Sequence, residues 1–360
     1  MARDRIIGLD VARGLAVMGM AVVNYQVIFD YDETAWPLLQ WLTDHVHGRA
    51  AALFVILSGA GISLLTARSR VSGKPTEMAD ARRRVMRRAV FLGVGGLVFA
   101  TCWSPDILHF HAAYFALALL FLYVPDSVLL RGTGAVTVGA AAFAMAPART
   151  GVPSSYLSLA DSLGSLDRLA EHYLFSGLHP VLPWAGYVLF GMWLGRQNLG
   201  DPALRRRMAV SGGAVFVLAT GLRKFCEAGL GDGAAPFAAW AEAALYSGTD
   251  GSGLLYLASS GGIALVVAMS CVGWAAGCRE SKAVAVLAAT GKTALTLYVA
   301  HVFFADATAL LLDGCGVDPQ LPHVLGSVLL FGLSAAAASA WWCRRYRRGP
   351  LEAAMRRFAD

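Results

Sequence analysis

Three residues near the start of the chain have types and spacing that could do chemistry together. Asp10 and Arg13 stand three apart, and Asn24 follows Arg13 by eleven. On an α-helix, residues three apart share a face, so the carboxylate and the guanidinium can neutralise each other. Eleven steps of about 100° return to nearly the same face, roughly 16 Å further along. One stripe therefore carries a cation at one end and an amide at the other. A guanidinium can hold phosphate oxygens through charge-assisted bonds. An amide N–H can donate to a carbonyl oxygen that gains charge during reaction. The same residues also suit a helix-start ion pair and a buried amide that ties helices together.

The histidines form a second set. The chain has eight: His45, His47, His109, His111, His172, His179, His301 and His323. Histidine exchanges a proton near neutral pH, so it is the usual general base. His45 and His47, like His109 and His111, are two apart and do not share a helix face, which suits loops. Tyr298 and His301 are three apart and share a stripe that Thr308 extends. Asp306 lies about 140° around the helix from His301 at roughly 100° per residue. Any partner of His301 must then come from another helix. His301 reads equally as a proton carrier and as a buried packing group. No cysteine or carboxylate set completes a metal site at tight spacing, and no metal is expected.

The elements that must position these residues are membrane helices. Hydrophobic residues make up 57% of the 360, charged residues only 15%, and mean hydropathy is +0.55. A soluble chain carries about a quarter charged residues. The expected fold class is all-α, a polytopic integral membrane protein forming a single domain over 1–360. About ten spans are read, near 9–29, 50–66, 89–103, 111–129, 133–147, 181–196, 208–222, 253–277, 291–312 and 323–342, each with a run of roughly 20 apolar residues or somewhat fewer. The first run contains Arg13 and lacks a small-residue cleavage site, so it reads as a retained span rather than a leader.

Basic residues set the orientation. Arg82-Arg83-Arg84 with Arg87-Arg88, Arg205-Arg206-Arg207, and Arg344-Arg345 with Arg347-Arg348 fall on one side. Only Arg49, Arg149, Arg168, Arg223 and Lys224 fall on the other. Both termini are then cytoplasmic, and no histidine lies in a cytoplasmic loop. The pI near 9.1 reflects topology and anionic lipid contact, not nucleic acid. The six cysteines read as free packing residues by default. Ser58-Gly59-Ala60-Gly61 reads chiefly as a close helix contact. Pro180 and Pro183 suit a helix start, with His179 beside Trp184 at the membrane surface.

Several of these segments together resemble a known family. Arg5-x-x-x-x-Asp10-x-x-Arg13-Gly14, followed by Met20 and Asn24, is similar to the first span of heparan-α-glucosaminide N-acetyltransferase and its bacterial relatives. Four further segments resemble the YeiB-like bacterial branch: His47-Gly48-Arg49 with Phe54 and Ser58-Gly59; Pro183-Trp184 with Gly191 and Gly195-Arg196; Gly291-Lys-Thr-Ala-Leu-Thr-Leu-Tyr298; and Arg348-Gly349-Pro350-Leu351-Glu352. The resemblance runs from residue 5 to about 352. It implies a multi-pass enzyme of the cell membrane that moves an acyl group, expected to be acetyl, from cytoplasmic acyl-CoA to an acceptor on the far side. An O-acylating family related to it has a catalytic His eleven residues after its Arg; here that position is Asn24. In the glucosaminide enzymes the catalytic His lies in the first outer loop, where this chain has His45 and His47.

The residue pattern and the resemblance together make His47, His45, Asn24 and His301 the catalytic candidates, with Asp10, Arg13 and Tyr298 at the CoA. The expected co-substrate is acetyl-CoA. The expected partners are a glycan or glycosylated metabolite as acceptor and membrane lipids, with a homodimer allowed for and nucleic acid excluded. The other reading is a proton-coupled secondary transporter of a small solute. It would favour broken helices and inverted repeats, which the sequence does not display.

Overall fold

A computed structural model of the chain describes residues 5–29, 31, 35–44, 46–150, 158–229 and 253–360. Among them every regular element is a helix. In chain order these are α1 (Ile7–Ile28), α2 (Pro37–Asp44), α3 (Arg49–Leu65), α4 (Ala67–Ser72), α5 (Pro75–Ala100), α6 (Leu108–Phe121), α7 (Asp126–Thr150), α8 (Leu159–Ser162) and α9 (Leu166–Glu171). A π turn (His172–Ser176) precedes α10 (Val181–Leu194) and α11 (Pro202–Gly229). Then come α12 (Leu254–Gly277), α13 (Lys282–Lys292), α14 (Ala294–Gly314), α15 (Leu321–Arg345) and α16 (Pro350–Ala359). Each apolar segment read from the sequence falls mainly on one of these helices. Five of them, α1, α11, α12, α14 and α15, are long and apolar enough to cross a membrane.

Of the boundaries that differ from the sequence reading, two have a clear physical reason. The third segment starts at Pro75, not near 89. Pro75 supplies a preset first helical turn, and the arginine run that follows is good helix former, so the helix continues where hydropathy stops. The ninth segment is not one helix. It breaks at Thr293, which has φ −114° and ψ 18°, so α13 ends at Lys292 and α14 begins at Ala294.

The chain divides into two compact units, residues 1–54 with 267–357, and residues 55–266 with 358–360. In the first, α1 packs against α13, α14 and α15. The α1–α13 crossing is so close that a Cβ built on Gly291 would lie 1.8 Å from the Asp10 carbonyl oxygen. Backbone cannot yield there as a side-chain tip can. Gly291→Ala is therefore expected to destabilise the fold by about 1–3 kcal/mol, the usual cost of overpacking. Gly326→Ala on α15, where a new Cβ meets nothing within 4 Å, should be neutral or stabilising. Thermal unfolding of both variants in detergent checks this; equal melting temperatures would contradict it.

In the second unit α5 packs on α6, and α10 on α6 and α7. The small residues of α3 act in packing: a Cβ on Gly191 of α10 would lie 2.1 Å from the Ile56 carbonyl oxygen. Arg196 is spent on structure. Its guanidinium donates to the Phe121, Leu122 and Val124 carbonyls at and just past the end of α6 and to Asp126, closing a helix end whose carbonyls lack partners. Val210, Val217, Leu218 and Phe225 stand exposed on α11, as a lipid-facing helix requires.

Candidate functional site

The start of α1 forms the first half of the site. Asp10 is 4% exposed and sits in the first turn, where the helix dipole favours an anion. Arg13 Nη1 donates to Asp10 Oδ1 at 2.9 Å, as the three-residue spacing predicts. Arg5 joins from the chain before the helix, its Nε to Oδ2 at 2.5 Å and its Nη2 to Oδ1 at 3.1 Å. That fork geometry is the strong form of the guanidinium–carboxylate contact. Two cations share one carboxylate, so the cluster carries a net positive charge. Arg5 and Arg13 keep 52% and 25% of their side-chain surface in solvent, which leaves donors that an anionic ligand can reach.

The motifs distant in sequence meet beside this cluster. Gly14 lies against Thr290 and Leu287 of α13, and Gly291 against Asp10. At the break, Thr293 and Ser339 hydroxyls hydrogen-bond at 2.8 Å. Glu352 caps the exposed start of α14, accepting from the Leu295 and Thr296 backbone N–H groups at 2.6 and 3.2 Å and from the Thr296 hydroxyl at 2.7 Å. The Thr296 hydroxyl in turn accepts from Leu351 N–H at 3.1 Å. Burial pushes the Glu352 carboxyl up, and these donors pull it back. The closing Gly349-Pro350-Leu351-Glu352 segment and the Lys292–Thr296 segment are therefore two sides of one helix cap.

Further along α1 lies the second half. Asn24 Nδ2 is 2.8 Å from His301 Nε2, and His301 Nδ1 bonds the Tyr298 carbonyl. A carbonyl only accepts, so Nδ1 carries the proton. Nε2 is then an acceptor, and the Asn24 amide donates to it. His301 is fully buried. Tyr25 stacks over it at 6.3 Å and 8°, with the Tyr298 ring at 5.2 Å. The partner required from another helix is thus Asn24. Tyr298 contributes its carbonyl and a buried ring. Asp306 is exposed on α14, away from His301 as the helix geometry predicts.

His47 lies on the turn before α3, half-buried, with its carbonyl accepting from Arg49 N–H at 2.8 Å. Gly48 allows that turn at φ 67°, a conformation glycine adopts without penalty. The segment around His47 is fastened to α1 on both sides of Asn24: Val46 and Ala50 pack at Gly19, and Gln26 Nε2 donates to Thr43 Oγ1 at 2.7 Å. His45 lies outside the described residues. His323 pairs with Gln320 in a capping box at the start of α15, a structural task. His179 stands 4.7 Å from Trp184, and burial pushes its imidazole down to about 3. It is neutral at physiological pH, and its buried Nδ1 has no hydrogen-bond partner among the described residues. All six cysteines are free thiols. Among the described residues no group of three or more His, Cys, Asp or Glu is placed to hold a metal.

Sequence reasoning missed Arg5 as the second partner of Asp10 and Glu352 as a cap. Both contacts depend on where chain ends fold back, which no periodicity reports. The capping segments were present in the sequence only as unexplained motifs.

The fold and site define an all-helical membrane protein whose first helix carries a cationic cluster at one end and a buried amide–imidazole pair at the other. The sequence pattern of the catalytic region of heparan-alpha-glucosaminide N-acetyltransferase matches residues 5–223, and that of a protein family of unknown function, DUF418, matches residues 197–360. The first match spans more than half of the chain, which belongs to the heparan-alpha-glucosaminide N-acetyltransferase catalytic family, a family of membrane acetyltransferases. No curated protein sequence matches the chain.

Proposed function

We propose that this protein is a cell-membrane acetyltransferase, one acyltransferase domain of ten spans with both termini cytoplasmic. It takes acetyl from cytoplasmic acetyl-CoA and gives it to a hydroxyl or amine of a sugar-class acceptor on the far side. The observation that carries this reading is the division of labour along α1. The Arg5–Asp10–Arg13 cluster suits the CoA phosphates. Asn24 and His301 lie roughly 16 Å away at about 1.5 Å per residue, comparable to an extended pantetheine arm. In the transfer the acceptor oxygen or nitrogen bonds the acyl carbon, the thioester C–S bond breaks, and a base removes the acceptor's proton. His47, with His45, is the base in this reading, and the remaining Asn24 N–H supports the thioester oxygen.

Membranes containing the protein should consume labelled acetyl-CoA and yield an acetylated acceptor; absence of acetyl-CoA-dependent product would overturn the reading. The donor half has its own test. Arg13→Ala is expected to weaken CoA binding about tenfold, the equivalent of one charge-assisted hydrogen bond at a partly solvated site. Calorimetric binding to purified protein measures it, and unchanged affinity would move the donor site elsewhere.

The break at Thr293 favours the second reading, a proton-coupled transporter, since transporters bind ions at such helix ends. Here Glu352 and Thr296 fill that end, so it does not face a substrate.

A further inference from the structure

The first unit carries a short helix built inside out. On α2 (Pro37–Asp44), Leu38, Trp41 and Leu42 have the i, i+3, i+4 spacing that puts residues on one face. Leu38 is 70% exposed, and Trp41 and Leu42 are each at least half exposed. Trp36, just before the helix, is exposed as well. Gln40 and Thr43 share the opposite face, and that polar face is the one turned to the protein. The buried Thr43 hydroxyl accepts from Gln26 Nε2 of α1 at 2.7 Å and donates to the Gln40 carbonyl at 3.0 Å. Gln40 Oε1 accepts from the Tyr31 hydroxyl at 2.9 Å. A helix on a water-covered surface does the reverse: it buries its apolar stripe and wets its polar one.

The position of α2 says what lies against its apolar face. The helix to which it is fastened, α1, is long and apolar enough to cross a membrane. The 22 residues of α1 cover roughly 33 Å at about 1.5 Å each, against a hydrocarbon layer of about 30 Å. Asp10 and Arg13 mark one end of that helix, so Gln26, where α2 is fastened, lies at the opposite boundary. Val27, next to Gln26 in sequence, adds to the exposed apolar surface. From Ala35 to Thr43 the sequence has no charged residue, and charges resume on either side at Glu33 and Asp44. Such a face gives a charged partner nothing to pair with. Indoles beside aliphatic side chains are the composition of the belt where proteins meet lipid headgroups.

We propose that Trp36, Leu38, Trp41 and Leu42 seat α2 in the leaflet at the end of α1 remote from Asp10, at the boundary between lipid headgroups and acyl chains. The partner is the phospholipid leaflet itself, held by apolar contact and not by headgroup charge. The polar face needs no water there, because Gln26 and Tyr31 already supply its hydrogen bonds. The seat also sets the depth of the loop that follows. The turn carrying His47 starts where α2 stops, with Val46 N–H donating to the Thr43 carbonyl at 2.8 Å. His47 is thereby held at the membrane surface through α2 as well as through α1. The seat rests on the geometry of α1 and α2 and holds whether or not the protein transfers acetyl.

Fluorescence quenching on full-length protein in phosphatidylcholine nanodiscs tests it. Three quenchers are compared: lipid brominated near the headgroup, lipid brominated near the chain end, and iodide in the water. Subtracting the signal of Trp41→Phe from that of wild type isolates Trp41, and Trp36→Phe isolates Trp36. Both indoles should lose most emission to the lipid brominated near the headgroup, less to the deeper bromines and least to iodide. Loss chiefly to iodide would mean a water-covered face and would overturn the seat. Loss to none of the three would mean a face covered by protein, such as a second copy of the chain, and would overturn it equally. The double variant Leu38→Asp with Leu42→Asp is the second check, since charge is costly in lipid. In it, Trp41 should lose its quenching by bromolipid and gain quenching by iodide. Unchanged quenching in that variant would mean that the leucines do not hold the helix in the leaflet, and the proposal would fail.

Discussion

His47→Ala, combined with His45→Ala, is expected to cut acetyl transfer by about 10²- to 10⁴-fold, the usual contribution of a positioned general base. The expectation has two roots. The family resemblance places the reactive histidine in the first outer loop, and the structure ties the segment around His47 to α1 at Gly19 and at Gln26, on either side of Asn24. A base must be held within reach of the proton that it removes, and two anchors flanking Asn24 supply that restraint. His47 is half-buried on a turn, so its removal creates little cavity, and folding should survive. Turnover per folded molecule, with CoA affinity measured on the same samples, is the deciding quantity. The single variants then divide the effect between the two histidines. A double variant that still transfers acetyl at the wild-type rate would remove the base from this loop.

How much of this was legible in the sequence depends on whether the information was local. The stripe on α1 was, because a helix maps spacing directly onto direction. Asp10 and Arg13 do pair, and Asn24 does face a functional candidate. The isolation of Asp306 from His301 was legible for the same reason. The identity of the His301 partner was not, because Asn24 is 277 residues away, and only packing of α1 on α14 joins them. The break at Thr293 was hidden too. Gly291-Lys-Thr-Ala carries no proline, and what caps the new helix start there is Glu352, 56 residues beyond Thr296. The contact between His109 and His172 gave only half a signal: eight histidines absent from the basic loops. Which of them touch depends on how the π turn presents His172 to α6.

The sharpest test of the buried pair compares Asn24→Ala, His301→Gln and the double variant. Asn24→Ala leaves the buried His301 Nε2 without its donor, which should cost about 1–3 kcal/mol of stability. If the pair only holds α1 to α14, both single variants lower the melting temperature, and turnover per folded molecule stays at the wild-type value. If Asn24 supports the thioester oxygen and His301 fixes the Asn24 amide, turnover falls as well. Loss of one preorganised donor to a developing oxyanion costs about 10²- to 10³-fold. The double variant should then be no worse than the worse single, because residues that act as one unit lose their function once. Additive losses would mean two separate roles. Asp306→Asn is the control on the same helix: it is exposed and faces elsewhere, so it should retain wild-type turnover. CoA binding completes the argument. The donor phosphates belong to the opposite end of α1, so affinity for CoA should be unchanged in both Asn24→Ala and His301→Gln while the rate collapses. A variant that loses rate and CoA affinity together would mean that the helix has shifted and that the division of labour along α1 is wrong.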